Sequence, residues 1–473
     1  MDAIMLAVGL LLTWLLGIGA VLLLRAPVPA PDAEGEAAWI AGAGGLAGAF
    51  LATVWMRVLS AAGIRFGLAA VALPLAIAAV ALLALAWRRH GAVLAAAARR
   101  AVATPDGLAG AARTIWWIGV AWLALRFVLL GTELASRPLY PWDAWTQWAT
   151  KARVWYELGY LAPFARVTEW LAANGAVWFD ASPEYPPTMP LLQVYACLWL
   201  GRWDDALMNW PWWQIGVALA LVVYGGLRSL GATAGVALAG TLLAASLPLA
   251  NVHVALAGYA DLPMAAFYTA AAVALLRWAA SRDRRDAALA LLFAAACTQI
   301  KNPGWFWAAT LAPGLVVTLL PRRGLKVAGI GFALVAVALV VLARFKFTLF
   351  NYRIDATFAA PWGDLAQSFF LLGNWHLLWY AAIVVALVAW RQLLAPALAP
   401  LTLTVAAGLT FLFFVFAYTT ASAYVSDQTT VNRAALHMAP LVAIFVVLGW
   451  QAFARRWVEL HPPATPAAPA PLS

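Results

Sequence analysis

The sequence predicts an all-α polytopic membrane protein with about thirteen transmembrane helices. Of its 473 residues, 65% are hydrophobic and 11% are charged, whereas soluble domains are nearer half apolar and a quarter charged. The apolar residues come in blocks of roughly 20, the length that crosses the hydrocarbon core as a helix. These blocks are continuous and rich in Ala and Leu, unlike the short alternating strands of a membrane barrel.

The apolar blocks define the predicted helices in chain order. The first block carries Asp2 and no basic segment, so we interpret it as a retained helix and not as a cleaved signal peptide. A shorter apolar segment at 187–200 fits a re-entrant or interfacial helix. The spans are predicted at 4–24, 39–58, 67–87, 112–131, 208–227, 233–251, 260–280, 285–300, 304–320, 325–343, 369–390, 397–419 and 437–455.

Four basic clusters predict the orientation. Counting the spans alternately places all four on one side, which the positive-inside rule makes cytoplasmic. The net charge of +10 therefore indicates topology and not nucleic-acid binding. The clusters follow the third, seventh, ninth and last spans: Arg88, Arg89, Arg99 and Arg100; Arg282, Arg284 and Arg285; Arg322, Arg323 and Lys326; Arg455 and Arg456.

The opposite, extracytoplasmic face receives a large loop at 132–186 and most of the acidic residues. Basic residues on this face oppose the positive-inside bias, so they need a reason other than topology. The acids are Glu133, Asp143, Glu157, Glu169, Asp180, Glu184, Asp204, Asp205, Asp261, Asp355, Asp364 and Asp427.

The chain divides into three predicted parts. Residues 1–104 form an N-terminal extension of three helices, and residues 105–456 form the core that includes the loop. Residues 457–473 form a Pro/Ala-rich cytoplasmic tail that we expect to be disordered.

The loop opens with Trp142-Asp143-Ala144-Trp145 and continues to Trp148, Lys151, Arg153 and Trp155. Four tryptophans at this spacing line much of a helix at the membrane surface, where Trp favours the headgroup level. An interfacial belt with a solvated acid is the simpler interpretation. It does not account for two basic residues that follow so closely.

The loop closes with Glu184-Tyr185-Pro186-Pro187. Proline fixes the backbone as the chain returns to the membrane, so a rigid turn explains the prolines. It does not call for Glu184 or Tyr185, so a rigid turn leaves these two residues unexplained.

Two further segments place charge at the ends of predicted helices. Asp261, in Tyr259-Ala260-Asp261, is either a helix cap or a functional acid. Lys301 and Asn302 lie in a tight turn between two apolar helices, where a snorkelling lysine is the alternative. Arg433, with His437 one turn later, presents the same question before the last helix: Thr429-Thr430-Val431-Asn432-Arg433.

The sequence lacks the motifs of several common kinds of site. Cys197 and Cys297 lie in apolar helical context and form neither a disulfide framework nor a metal motif. No P-loop, zinc spacing or nucleophile elbow is evident. The acids are too scattered along the sequence to establish a metal site. The sequence therefore identifies no cofactor and does not support a divalent metal.

The order of these motifs over roughly 112–455 resembles the GT-C superfamily of membrane glycosyltransferases. The likeness is closest to bacterial members akin to the protein mannosyltransferases and the aminoarabinose transferase of lipid A. The matching motifs are Trp142-Asp143-Ala144-Trp145, Glu184-Tyr185-Pro186-Pro187, Tyr259-Ala260-Asp261 and Lys301-Asn302-Pro303-Gly304. Pro303 stands where the family often has an acid, and Asp143 is single where several relatives carry an acidic pair.

The resemblance implies inverting transfer of a sugar from a polyprenyl-phosphate donor to an envelope lipid, glycan or protein. It would occur on the extracytoplasmic face of a bacterial cytoplasmic membrane, in contact with membrane lipids. Asp143 would be the base and Lys301 the first cation for the leaving phosphate. Further donor-binding candidates are Arg433, Lys151 and Arg153, with Glu184, Tyr185, Asp261, Asn302 and His437 as other substrate-binding residues.

Three other classes remain open. A flippase or transporter would also hold charges inside a helical bundle, although the chain shows no clear internal repeat. A polysaccharide ligase or polymerase also uses lipid-linked donors, but its large loop usually comes late in the chain. A non-catalytic scaffold would not need Lys301 and Arg433 on the face that carries Asp143.

Overall fold

The protein is almost wholly helical in the part of the chain that the structure describes. The computed structural model describes residues 2–24, 33–101, 105, 107–343, 345, 348–349, 352–353 and 361–461. The helical content confirms the predicted all-α class. Asp355 and the predicted tail beyond residue 461 lie outside the described residues.

The first part of the chain forms four long helices, as predicted. Helix α3 extends beyond the predicted 67–87, with non-helical backbone angles at His90. Residues 88–101, predicted as a loop, therefore continue this helix. The four helices are α1 (Asp2–Leu24), α2 (Ala33–Ala61), α3 (Leu68–Ala101) and α4 (Gly110–Ser136).

The large loop folds into short elements that lead back into the bundle. A π-helical turn (Ala144–Trp148) runs into α5 (Ala149–Leu158), followed by β1 (Phe164–Ala165), α6 (Val167–Ala172), β2 (Trp178–Phe179) and α7 (Thr188–Leu200). Strands β1 and β2 pair in parallel, with Phe164 opposite Trp178 and Ala165 opposite Phe179. Helix α7 covers the segment predicted as a re-entrant or interfacial helix at 187–200; it is shorter than the membrane-crossing helices, and nearly all of it is buried.

Eight helices follow before the second short sheet. Helices α9 and α10 bend by 63° at residues 246–247, because Pro248 begins the second helix. The helices are α8 (Trp210–Ser229), α9 (Ala234–Ala245), α10 (Pro248–Ala255), α11 (Asp261–Ser281), α12 (Arg284–Thr298), α13 (Gly304–Ala309), α14 (Ala312–Leu319) and α15 (Gly324–Ala343).

The last part of the chain returns to long helices. Helix α21 ends at Leu460, so residues 457–460, predicted as tail, are helical. The elements are antiparallel β3 (Thr348–Leu349) and β4 (Tyr352–Arg353), then α16 (Trp362–Ala366), a π-helical turn (Gln367–Leu371), α17 (Leu378–Val388), α18 (Trp390–Leu393), α19 (Ala399–Tyr418), α20 (Thr430–Leu436) and α21 (Ala439–Leu460).

Eight of the described helices are long and apolar enough to cross a membrane, or nine if the bent pair counts as one span. The protein is therefore a polytopic α-helical membrane protein. The predicted count of thirteen is not confirmed, because several predicted spans are short or broken. The span at 304–320 divides into α13 and α14, and the span at 369–390 divides into a π-helical turn, α17 and α18.

The first helices share one hydrophobic core with the rest of the bundle. Val21 of α1 and Trp39 of α2 belong to the same buried cluster as Leu219 of α8 and Ala271 of α11. Gly225 of α8 lies so close to α2 that a Cβ there would be 2.7 Å from the Cα of Trp39. Small residues at such crossings let helix backbones approach closely in membranes. The predicted extension at 1–104 is thus packed as part of the bundle.

A buried ion cluster joins α2 to α11 and α12 at one end of the bundle. Arg277 lies 2.7 Å from Glu36 and 3.3 Å from Asp286, with its guanidinium over the Trp39 ring. Helix α11 advances about 24 Å from Asp261 to Arg277 at 1.5 Å per residue. This cluster therefore lies at the end of α11 opposite to Asp261.

Candidate active site

A fully buried carboxylate, Asp261, brings three predicted site residues together. Its Oδ1 accepts hydrogen bonds from Lys301 Nζ at 2.9 Å and from His437 Nε2 at 2.9 Å, in the imidazole tautomer that donates there. Its Oδ2 accepts from Arg433 Nε at 2.7 Å. The side chain is 0% exposed, and the N-cap position of α11 is occupied by Ala260 and not by Asp261. The alternative of a helix cap therefore does not hold.

Asp143 joins this group through Arg433, whose Nη2 donates to Asp143 Oδ2 at 2.5 Å. The guanidinium bridges two carboxylates and lies 4.1 Å from the centre of the Tyr259 ring. The Asp143 side chain is 23% exposed, unlike that of Asp261. Asp143 is thus the accessible acid of the two. We call the five residues the Asp261 cluster: Asp143, Asp261, Lys301, Arg433 and His437.

A glycine allows the Asp143 segment to lie against the Asp261 segment. Gly258 has a φ of +122°, and a Cβ there would lie 2.5 Å from the Cβ of Ala144. L side chains rarely adopt this backbone conformation. Asp143 itself directly precedes the π-helical turn at 144–148. Such turns are rare and frequent at functional sites.

A second tight turn positions Lys301 between α12 and α13. Gly304 donates its backbone N–H to the Lys301 carbonyl at 2.8 Å. Gly304 also lies against the Cys297 carbonyl, where a Cβ would clash with backbone. The Lys301 side chain is 14% exposed and bound to Asp261, so it does not snorkel to water. Asn302 is half-buried in the same turn.

The formal charges of the cluster balance when His437 is neutral. Asp143 and Asp261 carry two negative charges, and Lys301 and Arg433 carry two positive charges. Burial acts to lower the pKa of Arg433, but Asp261 and Asp143 outweigh it and raise that pKa above its usual value. The guanidinium therefore keeps its charge despite its burial.

Tyr185 lies on the loop side of the cluster. Its ring centre is 5.2 Å from that of Trp148. Burial, with further contributions from Asp261 and Asp143, raises the pKa of Tyr185 to about 12. A phenol is already protonated at neutral pH, and the raised pKa extends the protonated state of Tyr185 to more alkaline pH. Its neighbour Glu184 is farther out, with its carboxylate 3.8 Å from Arg166 of the same loop.

Lys151 and Arg153, predicted to bind the donor, are engaged within the loop. Lys151 is 1% exposed, lies 3.2 Å from Asp180 and donates to the Ser182 carbonyl at 2.5 Å. Burial lowers the pKa of Lys151 and raises that of Asp180. This pair ties α5 to the segment that returns to the bundle.

Arg153 pairs with Glu157 at 2.7 Å on the surface and lies over the Trp203 ring. Among the described residues, neither Lys151 nor Arg153 contacts the Asp261 cluster. Of the four tryptophans of the predicted belt, Trp142 and Trp145 are exposed. Trp148 and Trp155 instead pack inside the protein.

His253 is a neighbour of the cluster that the sequence did not reveal. Its Nδ1 lies 2.8 Å from the Leu249 carbonyl, and its Nε2 lies 3.9 Å from Asp261 Oδ2. Nε2 is buried without a hydrogen-bond partner, and the ring packs beside Tyr259. The predicted helix at 233–251 stopped short of this residue, so only the rarity of His in apolar segments pointed to it.

Arg57 of α2 is a second neighbour of the site that the sequence did not single out. Its Nη1 donates to Gln299 Oε1 at 2.7 Å, and its Nη2 donates to Thr188 Oγ1. Gln299 is two residues before Lys301, and Thr188 directly follows the Pro187 that closes the loop. A lone arginine inside an apolar block, near the end predicted to be extracytoplasmic, was the available signal.

The fold and the cluster define a polytopic α-helical membrane protein with a buried charged site at one end of its bundle. Within the described ranges, no group of three His, Cys, Asp or Glu residues is arranged to hold a metal ion. Comparison with protein-family models, with curated proteins and with solved structures finds no match to this chain.

Proposed function

We propose that the protein is an inverting glycosyltransferase that moves a sugar from a polyprenyl-phosphate donor to an envelope lipid, glycan or protein. The observation that carries the proposal is Asp143, a reachable carboxylate held by Arg433 within a buried charge cluster. Ionisable groups at membrane depth are costly and by default indicate function. A site at the end of a helical bundle can take a substrate whose tail stays in lipid and whose sugar is polar.

Asp143 is the proposed general base. It accepts the proton of an acceptor hydroxyl or amine while the acceptor atom bonds to the anomeric carbon. The bond from that carbon to the phosphate oxygen breaks, and the phosphate leaves with the electron pair. Attack opposite the phosphate inverts the anomeric configuration. Arg433 binds Asp143 Oδ2, so Oδ1 is the oxygen proposed to take the proton.

Lys301 is the proposed cation for the leaving phosphate. An ammonium group has three donors, and Asp261 takes one of them. A fixed cation in a poorly hydrated site stabilises developing negative charge strongly. Asp261 and His437 then hold Lys301 and Arg433 in place, because Asp261 is too deeply buried to meet a substrate directly.

The remaining predicted residues take supporting roles in the proposal. Tyr185, Glu184 and Asn302 orient the sugar or the acceptor, since Tyr185 and Asn302 flank the cluster and Glu184 adjoins Tyr185. Lys151 and Arg153 support the loop rather than bind the donor, because their charges are already paired there. The basic clusters support an active site on the extracytoplasmic face of a bacterial cytoplasmic membrane.

The decisive test incubates purified protein in nanodiscs with radiolabelled polyprenyl-phosphate sugars and envelope acceptors. We expect label transfer, weaker donor binding in Lys301→Ala and partial retention in Lys301→Arg, which keeps the charge but alters its geometry. Lys326→Ala is the matched control, because Lys326 is exposed at the other end of the bundle. Absence of transfer across the panel would reject the transferase, and unchanged donor affinity in Lys301→Ala would remove that residue from the site.

A transporter of lipid-linked glycans is the second candidate, and the bend between α9 and α10 favours it. Broken helices near a buried polar site are common in transporters, and His253 on α10 lies beside Asp261. A transporter would move a fluorescent lipid-linked sugar across liposomes without breaking its phosphate bond. Recovery of the intact donor on the other leaflet would support this candidate over the transferase.

A further inference from the structure

Arg57 differs from the other cations near the site because its partners are neutral. Its guanidinium bonds to the Gln299 amide oxygen and the Thr188 hydroxyl. Among the described residues, no carboxylate oxygen lies within ion-pair distance of it. Its Nε is buried without a hydrogen-bond partner. An uncompensated charge in this setting is costly and calls for an anionic partner.

The charge balance of the Asp261 cluster strengthens this conclusion. Lys301 and Arg433 are matched by Asp261 and Asp143, so the cluster alone offers no excess positive charge when His437 is neutral. A phosphate approaching it would meet two carboxylates as well as two cations. Arg57 supplies the charge that this balance lacks, from helix α2, which lies outside the predicted core at 105–456.

The position of Arg57 places that charge where two site segments meet. Its Gln299 bond reaches the turn that carries Lys301, and its Thr188 bond reaches the segment that carries Tyr185. The planar guanidinium suits a phosphate, which it can bind through two parallel hydrogen bonds. The amide and hydroxyl are weaker partners that an anion can displace.

We propose that Arg57 of α2 recognises the phosphate group of a lipid-linked substrate and so completes the site from the N-terminal helices. The identity of the lipid rests on the proposed function. The binding of a lipid phosphate by Arg57 does not require sugar transfer and is tested separately.

The test measures binding of farnesyl phosphate to the full-length protein in zwitterionic nanodiscs, with farnesol as the uncharged probe. Arg57→Gln keeps a hydrogen-bonding side chain and removes the charge. We expect about 10–100-fold weaker farnesyl phosphate binding, as for loss of one charge-assisted hydrogen-bonding group. Farnesol affinity should stay unchanged, and Arg57→Lys should fall between wild type and Arg57→Gln.

Arg126→Gln is the matched control. Arg126 also lies in a long apolar helix and bonds to a neutral amide, Asn251 at 3.0 Å, but it contacts neither site segment. Equal loss in both Gln variants would overturn the proposal, as would wild-type farnesyl phosphate affinity in Arg57→Gln. Parallel loss of farnesol binding would show a structural brace instead. If the wild type transfers no sugar while phosphate binding still depends on Arg57, the transferase fails and the phosphate site stands.

Discussion

Arg433 binds one carboxylate oxygen of Asp143, Oδ2, and the other is the oxygen proposed to take the acceptor proton. Asp143→Asn keeps the shape of the side chain but cannot accept a proton at neutral pH. We therefore expect kcat/KM for transfer to fall about 10²–10⁴-fold, the usual contribution of a general base. The affinity for the donor, measured by a binding titration, should change little. The value of kcat/KM is measured with donor and acceptor at fixed, subsaturating concentrations.

The control for this prediction is Asp427→Asn, which neutralises an exposed acid in the loop before α20. Its transfer rate should equal that of wild type, because surface substitutions usually cost less than about 0.5 kcal/mol. If Asp143→Asn stays within about twofold of wild type, Asp143 is not the base.

For Asp261 we expect an effect on stability as well as on activity, because three site residues bond to it. Asp261→Asn leaves Arg433 and Lys301 without their buried counter-charge. Breaking a buried ion pair by removing one partner costs about 3–5 kcal/mol. We expect a clear fall in unfolding temperature in detergent, together with lost activity. A variant that unfolds as wild type does, yet is inactive, would instead give Asp261 a direct chemical role.

The site was predictable from the sequence as a set of residue types at helix ends. Asp143, Asp261, Lys301, Arg433 and His437 were all candidates, and the structure brings them together. Their separate roles were not predictable, because burial decides which acid is reachable and burial depends on tertiary packing. Tertiary packing also explains why Lys151 does not bind at the site as predicted. Its charge is paired with Asp180, which lies in a distant part of the loop.

At the scale of elements, Gly258 controls how closely two site segments approach. Gly258→Ala forces a side chain into a left-handed conformation and against Ala144. Displacement of Asp143 by about 1 Å can cost about 10²-fold in rate, so we expect a loss of that order in transfer.

The matched control is Gly201→Ala, at a left-handed position with nothing within 4 Å. It also has a positive φ, of +67°, but lacks the contact that a side chain at Gly258 would make with Ala144. Equal rates in the two variants would show that strain alone, rather than the approach of Asp143, sets the effect.

The breaks in the helices were the part of the fold that the sequence did not predict. Apolar windows at 233–251 and 369–390 predict single spans, yet both are interrupted. The two interruptions meet: Leu249 donates its N–H to the Asn374 carbonyl, and His376 Nε2 lies 3.0 Å from the Ser246 carbonyl. Backbone groups freed at membrane depth need such partners. The contacts join two segments that are far apart in the sequence, so the apolar pattern within either segment does not predict them.

At the scale of the whole molecule, the orientation is tested by labelling with an impermeant thiol reagent in intact cells. Cysteine at Ala173, in the large loop, should react, and cysteine at Ala280, beside the Arg282 cluster, should not. Both native cysteines are buried, so background labelling should be low. The reverse pattern would invert the predicted topology and reject the proposed extracytoplasmic position of the site.

Helix α2 is anchored at both ends by polar contacts, at Glu36 with Arg277 and at Arg57 with Gln299. Between these anchors it advances about 32 Å, close to the hydrocarbon thickness of about 30 Å. We therefore expect the two anchors of α2 to respond to the thickness of the bilayer. In thinner or thicker phosphatidylcholine vesicles, hydrophobic mismatch should strain one anchor and lower farnesyl phosphate affinity on both sides of an optimum. A flat response to acyl-chain length would show that the anchors do not sense the membrane.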